Sequence, residues 1–312
     1  MRDIAERSPP AVSSGTSIMP MLGEIAALLT ALLWSGSSLL FASATGRVGS
    51  FHVNITRLIF AAGLLGIAVL LLRPESPVTI RQMGLLAASG VVGLAVGDSF
   101  LFRAYREQGA RLTMLIMSIA PAFAALLGYW FLGEDLAPLG VFGMAITITG
   151  IGMVVLQRSP SAPSWALSSG ILYALIAALG QGGGLVLAKV AFNEGPVDGF
   201  LAALIRILAS IVVLLPLLLA RGRWRETLRL FDRDRRALVL TTGGSVLGPF
   251  LGISLSLIAV MHTSVGVAAT LMATVPVMML PIARFVFRET LTWRAIGGAV
   301  VAVAGVALLF LR

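Results

Sequence analysis

The chain has no cysteine and only two histidines, His52 and His262. The first absence excludes disulfides, thiolate metal sites and cysteine nucleophiles. The histidines are far apart, each near a predicted helix end, and no metal-ligand spacing joins them. No metal or other cofactor is expected. Acids are also scarce, with 14 Asp and Glu against 23 Lys and Arg. There are no paired carboxylates, phosphate-binding loop, nucleotide fold or catalytic triad, so ATP-driven transport has no visible basis. Charged residues make up 12% of the chain, hydrophobic residues 58%, and the mean hydropathy is +0.97. A soluble domain of this length cannot hide so much apolar surface, so lipid must be the solvent for most of it.

The net charge of +9 would suggest nucleic acid in a soluble protein. Here the charges fall between apolar runs, which is the pattern of loop arginines that set topology and meet lipid headgroups. No nucleic-acid partner is expected; membrane lipids are. Residues 1–22 are polar and hold Pro9, Pro10 and a Ser-rich stretch, which predicts a mobile N-terminal tail. Ala42-Ser43-Ala44 mimics a signal-peptidase site, but the region before the run is long and balanced in charge, and the run itself is needed as a span.

The chain is written twice. Pro121 is followed by Glu134 and Pro276 by Glu289, at the same spacing and 155 positions apart. The same offset maps Gly93 onto Gly248, Gly97 onto Gly252 and Gly150 onto Gly305. Earlier in the chain the match persists with small slips: Arg57 corresponds to Arg206, and Trp34-Ser35-Gly36 to Gln181-Gly182-Gly183. Apolar runs of spanning length fall at 23–43, 53–72, 83–103, 112–132 and 137–156, then at 167–190, 200–220, 238–259, 265–287 and 294–311. The expected organisation is a repeat over 23–156, a linker over 157–166 and a second repeat over 167–312. Strands are disfavoured because the runs are long and lack period-two alternation. Five is odd, so the second half enters the membrane from the opposite side. The expected fold is therefore all-α, ten transmembrane helices as two inverted five-helix repeats.

These features together resemble the EamA-type family of the drug/metabolite transporter superfamily. The features are the two fives, Trp-Ser-Gly early in the first half, an Arg near the start of each second helix, and Pro followed by Glu in both fourth helices. The resemblance covers residues 23–312. It implies a ten-helix, exporter-like carrier of small metabolites, multi-pass in a bacterial inner (plasma) membrane. It also implies a central cavity formed mainly by helices 1, 3, 4, 6, 8 and 9, with helices 5 and 10 towards the periphery. The small-molecule substrate, proton or exchange coupling, and oligomeric state stay open. So does orientation. Loop arginines, above all the run from Arg221 to Arg236, point to termini outside, while the resemblance implies termini in the cytoplasm.

Polar groups inside a span carry the information, because lipid burial is costly unless they pair or face water. Asp98 is the one acid well inside a helix. It and Arg57 reach similar depth and are expected to pair, either as a static ion pair or as a proton- or substrate-responsive carboxylate. Ile253 stands where the repeat has Asp98, so Arg206 needs another partner: Glu194 or Asp198, the interface, or an anionic group of the substrate. Trp34 and Ser38 share a helix face with Thr30, and Ser35 lies beside them. Gln181 shares a face with Tyr173. The two faces converge as a substrate surface or as helix–helix hydrogen bonding. Gly182-Gly183-Gly184 either permits close packing or loosens its helix. Pro121 and Pro276 predict kinks within their helices. Glu134 and Glu289 are read as structural, serving the next helix start or a salt bridge. Two other classes compete with a carrier. A membrane enzyme would need more convergent acids or metal ligands, and a structural or sensing subunit has no need of inverted repeats.

Overall fold

The computed structural model describes residues 21–74, 77–117, 119–133, 138–155, 169–220, 222–285 and 293–310. In the apolar runs no water is available to the backbone, so each run satisfies its N–H and C=O groups within itself as a helix. The first half contains α1 (Leu22–Val48), α2 (Ser50–Leu72), α3 (Ile80–Gly90), α4 (Asp98–Met117), α5 (Ala120–Leu132) and α6 (Pro138–Val155). The second contains α7 (Ser169–Asn193), α8 (Gly199–Ala220), α9 (Arg223–Arg233), α10 (Arg235–Ser245), α11 (Ile253–His262), α12 (Val265–Met272), α13 (Val275–Phe285) and α14 (Trp293–Phe310). No strand occurs among the described residues.

Among the described residues, seven helical stretches are long and apolar enough to cross a membrane, and Ala120–Leu132, Pro138–Gly150 and Ile296–Gly305 are shorter apolar helices. The long ones are apolar on both faces. In α2, Leu58 and Leu65 are fully buried, whereas Leu70 and Leu71 face outward. Lipid is a suitable solvent for the second set.

Two features of the backbone repeat with the sequence. α3 runs into α4 through a π-helical stretch, Val91–Gly97, and α10 runs into α11 through another, Val246–Gly252. These are the same positions 155 residues apart. π-helical turns cluster at functional sites. The second repeated feature is a break. α4 ends at Met117 and α5 opens with Pro121 in its first turn; α12 ends at Met272 and α13 starts at Val275, one residue before Pro276. The expected kinks inside continuous helices are therefore corrected. Each proline starts a new segment, where its missing N–H is not needed and its fixed φ suits a first turn.

The halves interlock through glycine. A Cβ on Gly97 would meet α7 at the Gly180 Cα, 3.5 Å away, and a Cβ on Gly184 would meet the Gly93 Cα at 3.2 Å. In the repeat, a Cβ on Gly248 would meet the Ser37 side chain of α1 at 3.2 Å, and one on Gly252 would meet Trp34 Nε1 at 2.5 Å. Each half's π-helical stretch is thus seated on the first helix of the other. The glycine run of α7 serves the same end: a Cβ on Gly182 would meet the Ala124 backbone nitrogen at 3.0 Å. Close packing, not loosening, explains Gly182 and Gly184, while Gly183 has room for a Cβ. The last helices, α6 and α14, pack on each other. Gly150 faces the Ala302 backbone, and a Cβ on Gly305 would lie 2.6 Å from the Thr147 nitrogen. Val141, Phe142, Val300 and Val303 cover the exposed sides of this pair.

The arginine-rich run forms α9, a short helix with Thr227 and Phe231 buried and Trp224 and Leu228 exposed. Thr227 Oγ1 meets His52 Nδ1 at 2.7 Å, docking α9 on the start of α2. Asp234 then caps α10 by accepting from the Ala237 N–H at 2.9 Å, and pairs with Arg47 at 2.8 Å. The Arg47 hydrogen bond, followed by the Ala237 amide, holds this partly exposed carboxyl below the usual carboxylate range.

Candidate functional site

One cavity lies where the two halves meet, and its lining follows the repeat. Leu94, Asp98, Leu101, Met114, Met117, Ala120 and Pro121 line it from the first half. The residues 155 positions later line it from the second: Pro249, Ile253, Ser256, Ala269, Met272, Val275 and Pro276. Arg57 and its counterpart Arg206 both line it. So do Trp34 with Gln181, and Ser38 with Leu185. Met117 and Met272, each beside one of the breaks, both line the cavity.

Arg57 is held on every side. Its guanidinium is ion-paired to Asp98, and Nε donates to Asn54 Oδ1 at 3.0 Å. Asn54 in turn donates to Ser99 Oγ at 3.1 Å. The guanidinium lies over the Phe102 ring at 4.9 Å and near the Phe41 ring at 5.6 Å, geometries that attract a cation. Arg57 is 4% exposed and Asp98 9%, so the pair is buried and its members depend on each other.

Arg206 is equally buried, at 2% exposed, and lines the same cavity, but it has no ion pair among the described residues. Neither acid that the sequence offered reaches it. Glu194 pairs with Arg81 at 2.8 Å, and Asp198 accepts from the Phe200 and Leu201 amides at the start of α8. No hydrogen bond or ion pair to the Arg206 guanidinium exists among the described residues, and its Nε is fully buried without a partner. The side chain lies over Gly93, where an added Cβ would meet its Nη2 at 3.3 Å.

Two of the residues expected in a substrate surface lie elsewhere. Ser35 faces α13, donating to the Val275 carbonyl at 3.0 Å and to Ala31 within its own helix at 2.7 Å. Tyr173 packs against Phe100 with tilted rings, centroids 5.7 Å apart, and with Arg103 over it at 5.9 Å. Ser35 is one residue from Trp34 and so points about 100° away around the helix. Tyr173 is more than two turns from Gln181, which carries it out of the cavity. Glu134 and Glu289 lie outside the described residues. Sequence reasoning missed Phe41, Phe102 and Tyr105, which also line the cavity. Helical spacing carried the signal: Phe41 is seven residues beyond Trp34, and Phe102 four beyond Asp98. Among the described residues no group of three or more His, Cys, Asp or Glu is placed to hold a metal.

The family model described as "EamA-like transporter family" matches residues 21–156 and again 168–311. The chain belongs to the EamA-like transporter family. Seven long apolar helices with that membership make it a multi-pass integral membrane protein. Among curated relatives it is 24% identical over 176 residues to Protein LicB of Haemophilus influenzae, covering 54% of this chain and 58% of that one. It is 24% identical over 132 residues to the uncharacterized transporter YxxF of Bacillus subtilis, covering 40% and 42%. The matches thus span about half the length of each relative. A solved crystal structure shares the fold with a TM-score of 0.72 at 18% identity, covering 93% of this chain and 96% of the other.

Proposed function

We propose that this EamA-like chain is a secondary transporter that exports a small organic metabolite, an amino acid or similar solute. It works by alternating access between two inverted five-helix repeats, residues 23–156 and 167–312. The observation that carries this reading is the lining of the cavity by equivalent positions of both halves. If the seven long and three shorter apolar helices are ten passes, an odd number per half inverts the second repeat. A pseudo-two-fold in the membrane plane then runs through the cavity, and exchanging the conformations of the halves moves its opening from one face to the other. The breaks before Pro121 and Pro276 are the hinges of that exchange. The bacterial relatives support a bacterial inner membrane as its place.

The test is counterflow in proteoliposomes. Vesicles preloaded with one unlabelled amino acid or organic acid at a time should accumulate the same labelled solute transiently, with and without an imposed pH gradient. A gradient that adds to accumulation identifies proton coupling; its irrelevance identifies exchange. No counterflow for any solute of a broad metabolite set contradicts the reading.

A further inference from the structure

We propose that Arg206 binds the anionic group of the substrate, and that the substrate is an organic monoanion with an apolar body. The inference rests on the carrier reading and, within its class of small organic metabolites, puts a monoanion in place of the zwitterionic amino acid. Three observations support it. Arg206 is 2% exposed and lines the cavity. It has no hydrogen bond or ion pair among the described residues, and its Nε is fully buried without a partner. Finally, the repeat shows what a partnered arginine looks like at this place, because Arg57 has Asp98 and Arg206 has Ile253.

A buried guanidinium with unused donors is costly unless an acceptor meets it. A carboxylate is the natural acceptor, taking two parallel N–H bonds in a fork geometry. The charge count agrees. Asp98 is ion-paired to Arg57 and attracts Arg206 only at longer range, so two arginines share one carboxylate and the charged lining residues leave the cavity one net positive charge. An organic cation is repelled by that charge. A zwitterion is disfavoured too, because its ammonium would compete with Arg57 for Asp98. The rest of the wall is largely apolar or aromatic, with Trp34, Leu94, Leu101, Leu185 and Met272 around the arginine's cavity. It suits a hydrocarbon or aryl body better than a sugar. The glycine at 93 is part of the site, since it leaves the room in which the guanidinium lies.

The test uses the full-length purified protein in detergent, with neutral isosteres as controls. The probes are benzoate, phenylacetate and hexanoate, each beside its primary amide, and the readout is the dissociation constant from ligand-dependent thermal stabilisation. At least one carboxylate should bind about tenfold or more tighter than its amide, as expected for hydrogen bonds to charged groups. Arg206→Gln should erase that preference, and Arg206→Lys should keep part of it. Ile253→Asp keeps the arginine but supplies the partner that Asp98 gives Arg57, and it should also erase the preference. It serves as the second variant if Arg206→Gln does not fold. The proposal is overturned if all three carboxylates fail to beat their amides, or if the preference survives in Arg206→Gln or Ile253→Asp. Counterflow of the same carboxylates separates this inference from the one beneath it. Arg206-dependent binding without counterflow leaves the anion site and removes the carrier, whereas counterflow indifferent to charge and to Arg206 does the reverse.

Discussion

The two arginines of the repeat occupy equivalent places and live in opposite conditions. Arg57 is paired, hydrogen-bonded to Asn54 and boxed by Phe41 and Phe102. Arg206 has a cavity in front of it and no partner among the described residues. Duplication supplies a symmetric frame, and the frame explains the mirrored π-helical stretches, breaks and glycine seats. In the proposed anion site one copy gives up its partner, and Asp98 against Ile253 is that difference. Both arginines line the cavity, Arg57 in its ion pair and Arg206 without one among the described residues.

The largest expected effect breaks the comparison at the arginines. Arg57→Leu or Asp98→Leu each strands a buried charge and should lower stability by about 3–5 kcal/mol. The double variant should lose less than either single one. Arg206→Leu strands nothing, so it should leave the unfolding midpoint unchanged or raise it. Thermal unfolding of the four variants in detergent checks this; equal losses for Arg57→Leu and Arg206→Leu would contradict the asymmetry.

Next come the glycines, where the halves are alike. Gly150→Leu and Gly305→Leu each drive a side chain into the facing backbone of α14 or α6. Each should cost about 1–3 kcal/mol or more by overpacking. The two losses should match, as read from unfolding midpoints, if the helices are equivalent partners.

A smaller effect sharpens the difference again. A Cβ on Gly252 meets the Trp34 ring, whereas the nearest group to one on Gly97 is the Val92 carbonyl at 3.2 Å. Gly252→Ala should therefore shift Trp34 and reduce transport roughly as Trp34→Ala does, by about tenfold for 1.4 kcal/mol of lost contact. Gly97→Ala should reduce it less. Initial counterflow rates at matched expression check this.

The smallest effect lies outside the cavity, at Asp234. Its carboxyl is held low by Arg47 and by the Ala237 amide, so its contribution exists above the unfolded carboxylate pKa and disappears as pH falls through the folded one. Asp234→Asn should lower the unfolding midpoint slightly near neutrality, and the gap should close on acidification. A gap that persists in acid would assign the loss to something other than this charge.

Much of this was legible beforehand because membrane constraints are severe. Apolar runs had to be helices, and the fixed offset between Pro121 and Pro276 exposed the duplication. The Arg57–Asp98 pair followed from depth alone. Trp34, Ser38 and Gln181 line the cavity as helical spacing suggested, while Ser35 and Tyr173 do not. Ser35 and Tyr173 miss the cavity within uninterrupted helices, the first by its angle from Trp34 and the second by its distance from Gln181. Nothing in the sequence announced the π-helical turns at Val91–Gly97 and Val246–Gly252 or the breaks before the prolines. Each shifts which side chains meet across the interface. The freedom of Arg206 was also beyond sequence, since only the structure shows Glu194 and Asp198 already engaged.

The most direct test of the account uses the absence of native cysteine, which makes any introduced thiol the sole label site. Met117→Cys and Met272→Cys place single thiols at equivalent points on the cavity wall. In oriented vesicles, each should react with a membrane-impermeant maleimide added from either face. Any transported solute that favours one state should slow labelling from one face and speed it from the other, at both sites together. Labelling confined to a single face for both positions, unchanged by solute, would contradict alternating access between the two halves.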